Sequence, residues 1–180
     1  MPSLSHNVLT VTGPTAELRE FKHAVRAADP DSETGRRTVL DFSRHVPMPP
    51  ELLVDEGDLA AGRLPDWYAW RLEHWGTKWN AMWPTLRGTL RSGELRYRLR
   101  TAWTPPVEWL QFVAAAHPGL SFELTYEEER AQFHGVLRFE AGRLVEDRCR
   151  SDLPTGGVDP VRAARCVPRD QRCGRAASRM

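Results

Sequence analysis

Two stretches carry the residue types best suited to chemistry. One is His74–Trp75–Gly76–Thr77–Lys78–Trp79–Asn80–Ala81, where an imidazole, an ammonium group, a carboxamide and two indoles fall close together. The other is Glu94–Thr101 (ELRYRLRT), where Arg96, Arg98 and Arg100 recur at every second position. On a strand, that spacing puts three guanidinium groups on one face in a stripe about 13–14 Å long. Cations beside exposed indoles are the composition of partner-binding surfaces and of single-stranded nucleic-acid grooves. The candidate surface is therefore His74, Lys78, Trp79, Asn80, Arg96, Arg98 and Arg100. A plainer reading stands beside it. Aromatic residues at helical spacing are usually core, and the arginines can be a solvated strand face paired with Glu123 and the Glu127–Glu129 run on a neighbouring strand.

No catalytic residue, cofactor site or metal site can be assigned. The chain has neither GxxxxGK nor GxGxxG. It has no Cys-x2-Cys or His-x3-His pair of the kind that holds zinc. His6, His23, His45, His74, His117 and His134 are scattered, and no serine or cysteine stands in a nucleophile motif. Glu127–Glu129 could do acid–base work, but its expected place at a hairpin tip favours solubility.

Several elements must position these residues. Leu64–Pro65–Asp66 reads as a helix start with Asp66 as the cap. Trp67, Trp70 and His74 then share one face, and Gly76 is the expected left-handed stop. All seven tryptophans lie between Trp67 and Trp109, which marks one packed centre. Earlier, Asn7–Thr12 alternates as a strand, and a helix is expected from Pro14 or Thr15 to Ala28 on the stripe Leu18, Phe21, Val25, Ala28. Asp29–Arg37 reads as loop and Thr38–Phe42 as a short strand. Val46–Leu53, with three prolines, reads as an extended connector, and Asp55–Arg63 as an acidic loop. Beyond Trp83–Pro84 the chain is expected to turn through Gly88 and Gly93. After the arginine strand, Pro106 opens a helix with Trp109, Leu110, Val113 and Ala114 inward. Leu120–Tyr126, Gln132–Glu140 and a short edge at Leu144–Cys149 complete the strands, with Glu127–Arg130 as a turn.

With 180 residues, the natural division is one domain over residues 1–150 and a tail over 151–180. The tail has six arginines against three aspartates and little periodicity, and is expected to be disordered. The net charge of +1 gives no global pull towards nucleic acid or membrane. No apolar run reaches about 18 residues, so no transmembrane helix is expected. The N-terminus has no signal-type apolar core, which predicts a cytosolic protein. Cys149, Cys166 and Cys173 form no disulfide or zinc pattern, and free thiols are expected.

Stripped of the tryptophan helix, the order leaves two strand–helix–strand halves. This is the plan of an α+β ferredoxin-like sandwich, an antiparallel sheet with helices on one face and an inserted Trp-rich helix. NVLTVTGP near the start, DFSRHVPMPPEL, HWGTKWNA, TAWTPP with EW, and the LSFELTYEEE–FHG hairpin together resemble the YubB-type ferredoxin-like domain over residues 5–147. Glu128–Glu129–Arg130 departs from it where a glycine-containing turn is expected. The resemblance implies that fold and a plasmid or bacteriophage origin. No biochemical activity is established for that family, so it supplies no catalytic residues. The name describes shape alone, since no cysteine set for an iron–sulfur cluster is present.

The expected function is that of a mobile-element accessory protein, a non-catalytic protein-interaction module whose partner is a host or phage protein. The alternative is a nucleic-acid-binding domain using the basic strand face and aromatic residues. Third comes an enzyme with an atypical site near His74 and Lys78.

Overall fold

The structure is a computed structural model that describes residues 3–28, 37–54, 62–128 and 133–151. Along the chain these form β1 (Leu4–Thr12), α1 (Thr15–Ala24), β2 (Ala27–Ala28), β3 (Arg37–Thr38), α2 (Asp66–His74) and β4 (Met82–Thr89). Then follow β5 (Glu94–Ala102), α3 (Val107–Ala116), β6 (Ser121–Glu128), β7 (Phe133–Glu140) and β8 (Arg143–Ser151). The loops expected over Asp29–Arg37 and Asp55–Arg63 and the tail from Ser151 lie mostly outside the described residues, as does the second half of the turn expected over Glu127–Arg130, whose first two residues extend β6 instead.

Six strands form one antiparallel sheet in the order β4-β5-β1-β6-β7-β8. The chain leaves β1 through α1 and returns as β4, leaving one position that β5 fills. It leaves β5 through α3 and returns as β6, with β1 in between. This is the ferredoxin-like arrangement, an α+β fold, extended beyond β6 by the β7–β8 hairpin. Alternation places Leu9, Val11, Leu95, Tyr97, Leu99, Phe122, Leu124, Leu137 and Phe139 on one face, where all are buried. Leu18 and Phe21 of α1 and Trp109, Leu110 and Val113 of α3 close over them. Among the described residues, the opposite face carries no helix.

The second strand of the first half is β4, not Thr38–Phe42. Asp41 explains the difference: its carboxylate accepts from the Ser43 N–H at 2.8 Å and winds Phe42–Arg44 into a short 3-10 turn. Leu40 and Phe42 enter the core from that turn rather than from a strand. The stretch beyond Trp83–Pro84, expected to turn through Gly88, instead forms β4 together with those two residues. Pro84 is tolerated because β4 is an edge strand and its register shifts between Met82 and Thr85.

Four smaller expectations also change. α1 stops at Ala24, because the Val25 carbonyl accepts from the Asp41 N–H at 2.8 Å and the chain departs into β2. The Pro-rich connector ends in a 3-10 turn over Pro50–Val54. Pro65, not Asp66, occupies the cap position of α2, and Asp66 pairs with Arg63 at 3.7 Å. Cys149 on β8 is disulfide-bonded, against the expected free thiols, and its partner lies outside the described residues.

Candidate binding face

The tryptophan peptide divides into structural and half-exposed parts. Gly76 stops α2 with φ of 79°, as its missing Cβ allows. Trp75 is buried, and its Nε1 donates to the Val46 carbonyl at 2.9 Å. Trp109 is buried too and donates to the Phe42 carbonyl at 3.2 Å. Both acceptors are backbone carbonyls distant in sequence. Thr77 bonds the Ala102 carbonyl at 3.0 Å, tying the peptide to the end of β5.

Asn80 is a staple. Its Oδ1 accepts from the Phe42 and Ala81 N–H groups, both at 2.8 Å, and its Nδ2 donates to Asp41 at 2.7 Å. A carboxamide so committed is not offered to a ligand. His74 stacks on Trp70 at 4.2 Å, and its Nδ1 lies 2.9 Å from the Trp70 carbonyl. The Lys78 ammonium lies 5.4–5.5 Å from the rings of Tyr68, Trp79 and Trp103, so the protein's own aromatics already engage it. Arg71 sits over Trp67 at 4.8 Å and Trp75 at 5.1 Å, and burial lowers its pKa. Trp79 is half-buried rather than core.

Arg96, Arg98 and Arg100 lie on the open sheet face, where strand register arranges the side chains in cross-strand rows. Arg100, His6, Glu127 and His134 form one row. Thr85, Arg98, Val8, Thr125 and Val136 form the next. Arg87, Arg96, Thr10, Glu123 and Arg138 form the third. The expected pairing of the arginine stripe with Glu123 and Glu127–Glu129 is not made, because β1 lies between β5 and β6. Glu123 bonds Arg138 at 2.6 Å instead, and Arg138 reaches Glu146 at 2.8 Å, which raises the Arg138 pKa. Arg148 also pairs with Glu146. Alternation sends Glu128 to the opposite face, where it is buried, so the acidic run is split between two surfaces.

The face is thus electrically lopsided. Its β6–β8 half neutralises itself through these ion pairs. On the β4–β5 half, Arg96 meets Glu94 at 3.4 Å, while among the described residues Arg87, Arg98 and Arg100 have no carboxylate partner.

Trp83 completes this half. At the β4 irregularity it takes φ of 48°, a left-handed conformation rarely adopted by a bulky residue. Such a kink re-aims a side chain away from the regular pleat. The indole is 67% exposed, which excludes a core role, and the Arg100 guanidinium lies 5.5 Å from its centroid. Trp83, Thr85, Arg98, Arg100, His6, Glu127 and His134 border an open groove of about 820 Å³. None of His74, Lys78, Trp79 or Asn80 lines it.

The groups with the most perturbed titration lie elsewhere. His45 Nε2 is 2.8 Å from His117 Nε2, with Phe21 against both rings. Burial, then the His117 and Arg44 charges, lower the His45 pKa to about 4. Burial also lowers that of His117, against the pull of Glu20 and Glu17. Tyr97 is buried and its pKa is raised by that burial. None of the three lines the groove. Among the described residues no three His, Cys, Asp or Glu side chains converge on a point that could hold a metal ion. Nor is any described helix long and apolar enough to cross a membrane.

Sequence reasoning found the arginines but missed Trp83, His6, Thr85 and His134. A usable signal was present in Thr85–Leu86–Arg87, which alternates directly after Trp83–Pro84. Read as an edge strand, it would have set an aromatic residue beside the arginine stripe.

The model of the ferredoxin-like domain in Api92-like proteins matches residues 78–152. The fold is similar to that in the crystal structure of the protein Api92 from Yersinia pseudotuberculosis, with a TM-score of 0.61 at 10% identity. That likeness covers 86% of this chain and all of the Api92 chain. No curated protein matches by sequence.

Proposed function

We propose that this chain is a non-catalytic binding domain whose working surface is the open face of the sheet. The observation that supports it best is the groove between Trp83, the unpartnered Arg98 and Arg100, and Glu127. An exposed indole held in an unfavourable backbone conformation beside uncompensated cations costs stability, and such features gather at binding sites. The tryptophan peptide, the other part of the candidate surface, supports this reading less well, because Asn80 and Lys78 are engaged internally. The YubB-like motifs add that the domain serves a plasmid or phage as an accessory protein acting on host or phage macromolecules.

The test compares wild type with an Arg98→Glu/Arg100→Glu variant in pull-downs from bacterial lysate, with and without nuclease. A partner retained by wild type and lost by the variant is the expected result. Partners held equally by both would remove the sheet face from consideration. Thermal unfolding serves as the control, and it should barely change because both side chains are exposed.

A further inference from the structure

Resting on the reading that the open sheet face is the binding surface, we infer that its ligand is a single-stranded polynucleotide. Its phosphates lie along Arg96, Arg98 and Arg100, and a base stacks on Trp83. Three features of the face favour this over a protein partner.

The first is charge. Among the described residues, the β4–β5 half presents Arg87, Arg98 and Arg100 without carboxylate partners, and Arg96 with only a loose one. A polyphosphate backbone complements a row of cations spaced about 6.6–6.8 Å apart along one strand. Apolar groups are present too, Val8, Leu99, Tyr126 and Trp83 at the groove and Val136 beside it, so it is the row of cations rather than a lack of apolar surface that favours a polyanion.

The second is the indole. Trp83 is exposed, stands at the groove's edge and carries Arg100 beside its ring. Every base has a π-face, so such a ring holds bases without regard to sequence, and the nearby cation strengthens the stack. A paired duplex hides its base faces, so the platform suits unpaired bases.

The third is the change of sign across the groove. Glu127 faces His6 and His134 on the side away from Arg98. A carboxylate repels phosphate but accepts hydrogen bonds from exocyclic amino groups. The phosphate row on β5 therefore lies between the Trp83 ring and Thr85 hydroxyl on β4 and the hydrogen-bonding groups of His6, Thr125, Glu127 and His134 on β1, β6 and β7. A sheet of this size takes roughly two or three nucleotides.

Fluorescence anisotropy of the full chain with labelled 12-nucleotide DNA and RNA single strands, and with the matched duplexes, tests this across a range of salt. Both single strands should bind more tightly than either duplex; comparing DNA with RNA shows which the face prefers. With three phosphates held, log K should fall against log salt with a slope of about −2. Trp83→Ala should weaken binding by roughly 5- to 150-fold, and Trp83→Phe should restore most of it. Arg98→Glu/Arg100→Glu should abolish it.

Single-strand binding that survives both the Trp83→Ala and the arginine variant overturns the inference, because the nucleic acid is then held elsewhere. No oligonucleotide binding, with a nuclease-resistant lysate protein lost by the arginine variant, also overturns it while leaving the binding face intact. Neither ligand depending on the face overturns both readings.

Discussion

At the scale of single residues, the indoles divide by what their N–H groups reach. Trp75 and Trp109 are buried donors to backbone carbonyls, so each adds a satisfied hydrogen bond to a large apolar burial. Trp75→Ala is expected to cost about 3–5 kcal/mol. Trp79→Ala, half-buried, should cost about 1–2 kcal/mol; equilibrium denaturation in urea separates the two. The His45–His117 pair makes a second prediction. The His45 Nδ1 is buried without a partner, so the tautomer that strands no N–H has His45 Nε2–H donating to His117 Nε2. The folded protein keeps His45 neutral down to about pH 4, whereas the unfolded chain takes up that proton near pH 6.5. Between those values the unfolded state binds more protons, so this contribution is complete above about 6.5 and is lost as pH falls towards 4. Melting temperature followed over that window should decline in wild type and decline less in His45→Gln.

At the scale of elements, the β6–β7 pair shows why a glycine sits within a strand. Gly135 lies opposite Tyr126, and a Cβ there would collide with the Tyr126 ring and hydroxyl and with the Arg148 carbonyl. The tyrosine thus covers β7 where the glycine leaves room, as aromatic residues do beside strand glycines. Gly135→Ala must displace both a side chain and a backbone carbonyl. It is expected to destabilise by about 1–3 kcal/mol, seen as a lower urea midpoint with an unchanged slope. β4 shows the opposite economy. Its irregularity gives up part of a regular ladder and sets Trp83 over the face.

At the scale of the molecule, β1 is the central strand in connectivity. It is hydrogen-bonded along nearly its whole length to β5 on one side and β6 on the other, although it is first in sequence. Opening it requires breaking both halves of the fold. Amide hydrogen exchange should therefore be slowest in β1, β5 and β6 and fastest in the edge strands β4 and β8. Exchange in β1 as fast as in β8 would contradict this account. The edges are also where association must be resisted, and Arg143, Arg148 and Arg150 give β8 the charges that discourage pairing with another chain.

Local pattern alone determined much of this. Period-two alternation identified β5, β6 and β7 and which faces they bury, because a half-covered sheet imposes that period. The stripe on α3 and the stop at Gly76 were legible for the same reason: each depends on neighbours within a turn or two. The ferredoxin-like plan followed from the order of these elements. Tertiary structure decided the rest. Asn80 looked like a free carboxamide until Phe42 and Asp41, 38 and 39 residues away, were folded against it. The chain beyond Trp83–Pro84 looked like a turn because the proline and Gly88 outweigh the short alternation of Thr85–Leu86–Arg87, and only the sheet order shows that β4 is an edge strand. The arginine stripe looked pairable with Glu123 because alternation does not show that β1 intervenes. Each of these depends on contacts between residues remote in the chain, and those contacts tie Asn80 into the interior and set Trp83 beside the arginine part of the candidate surface.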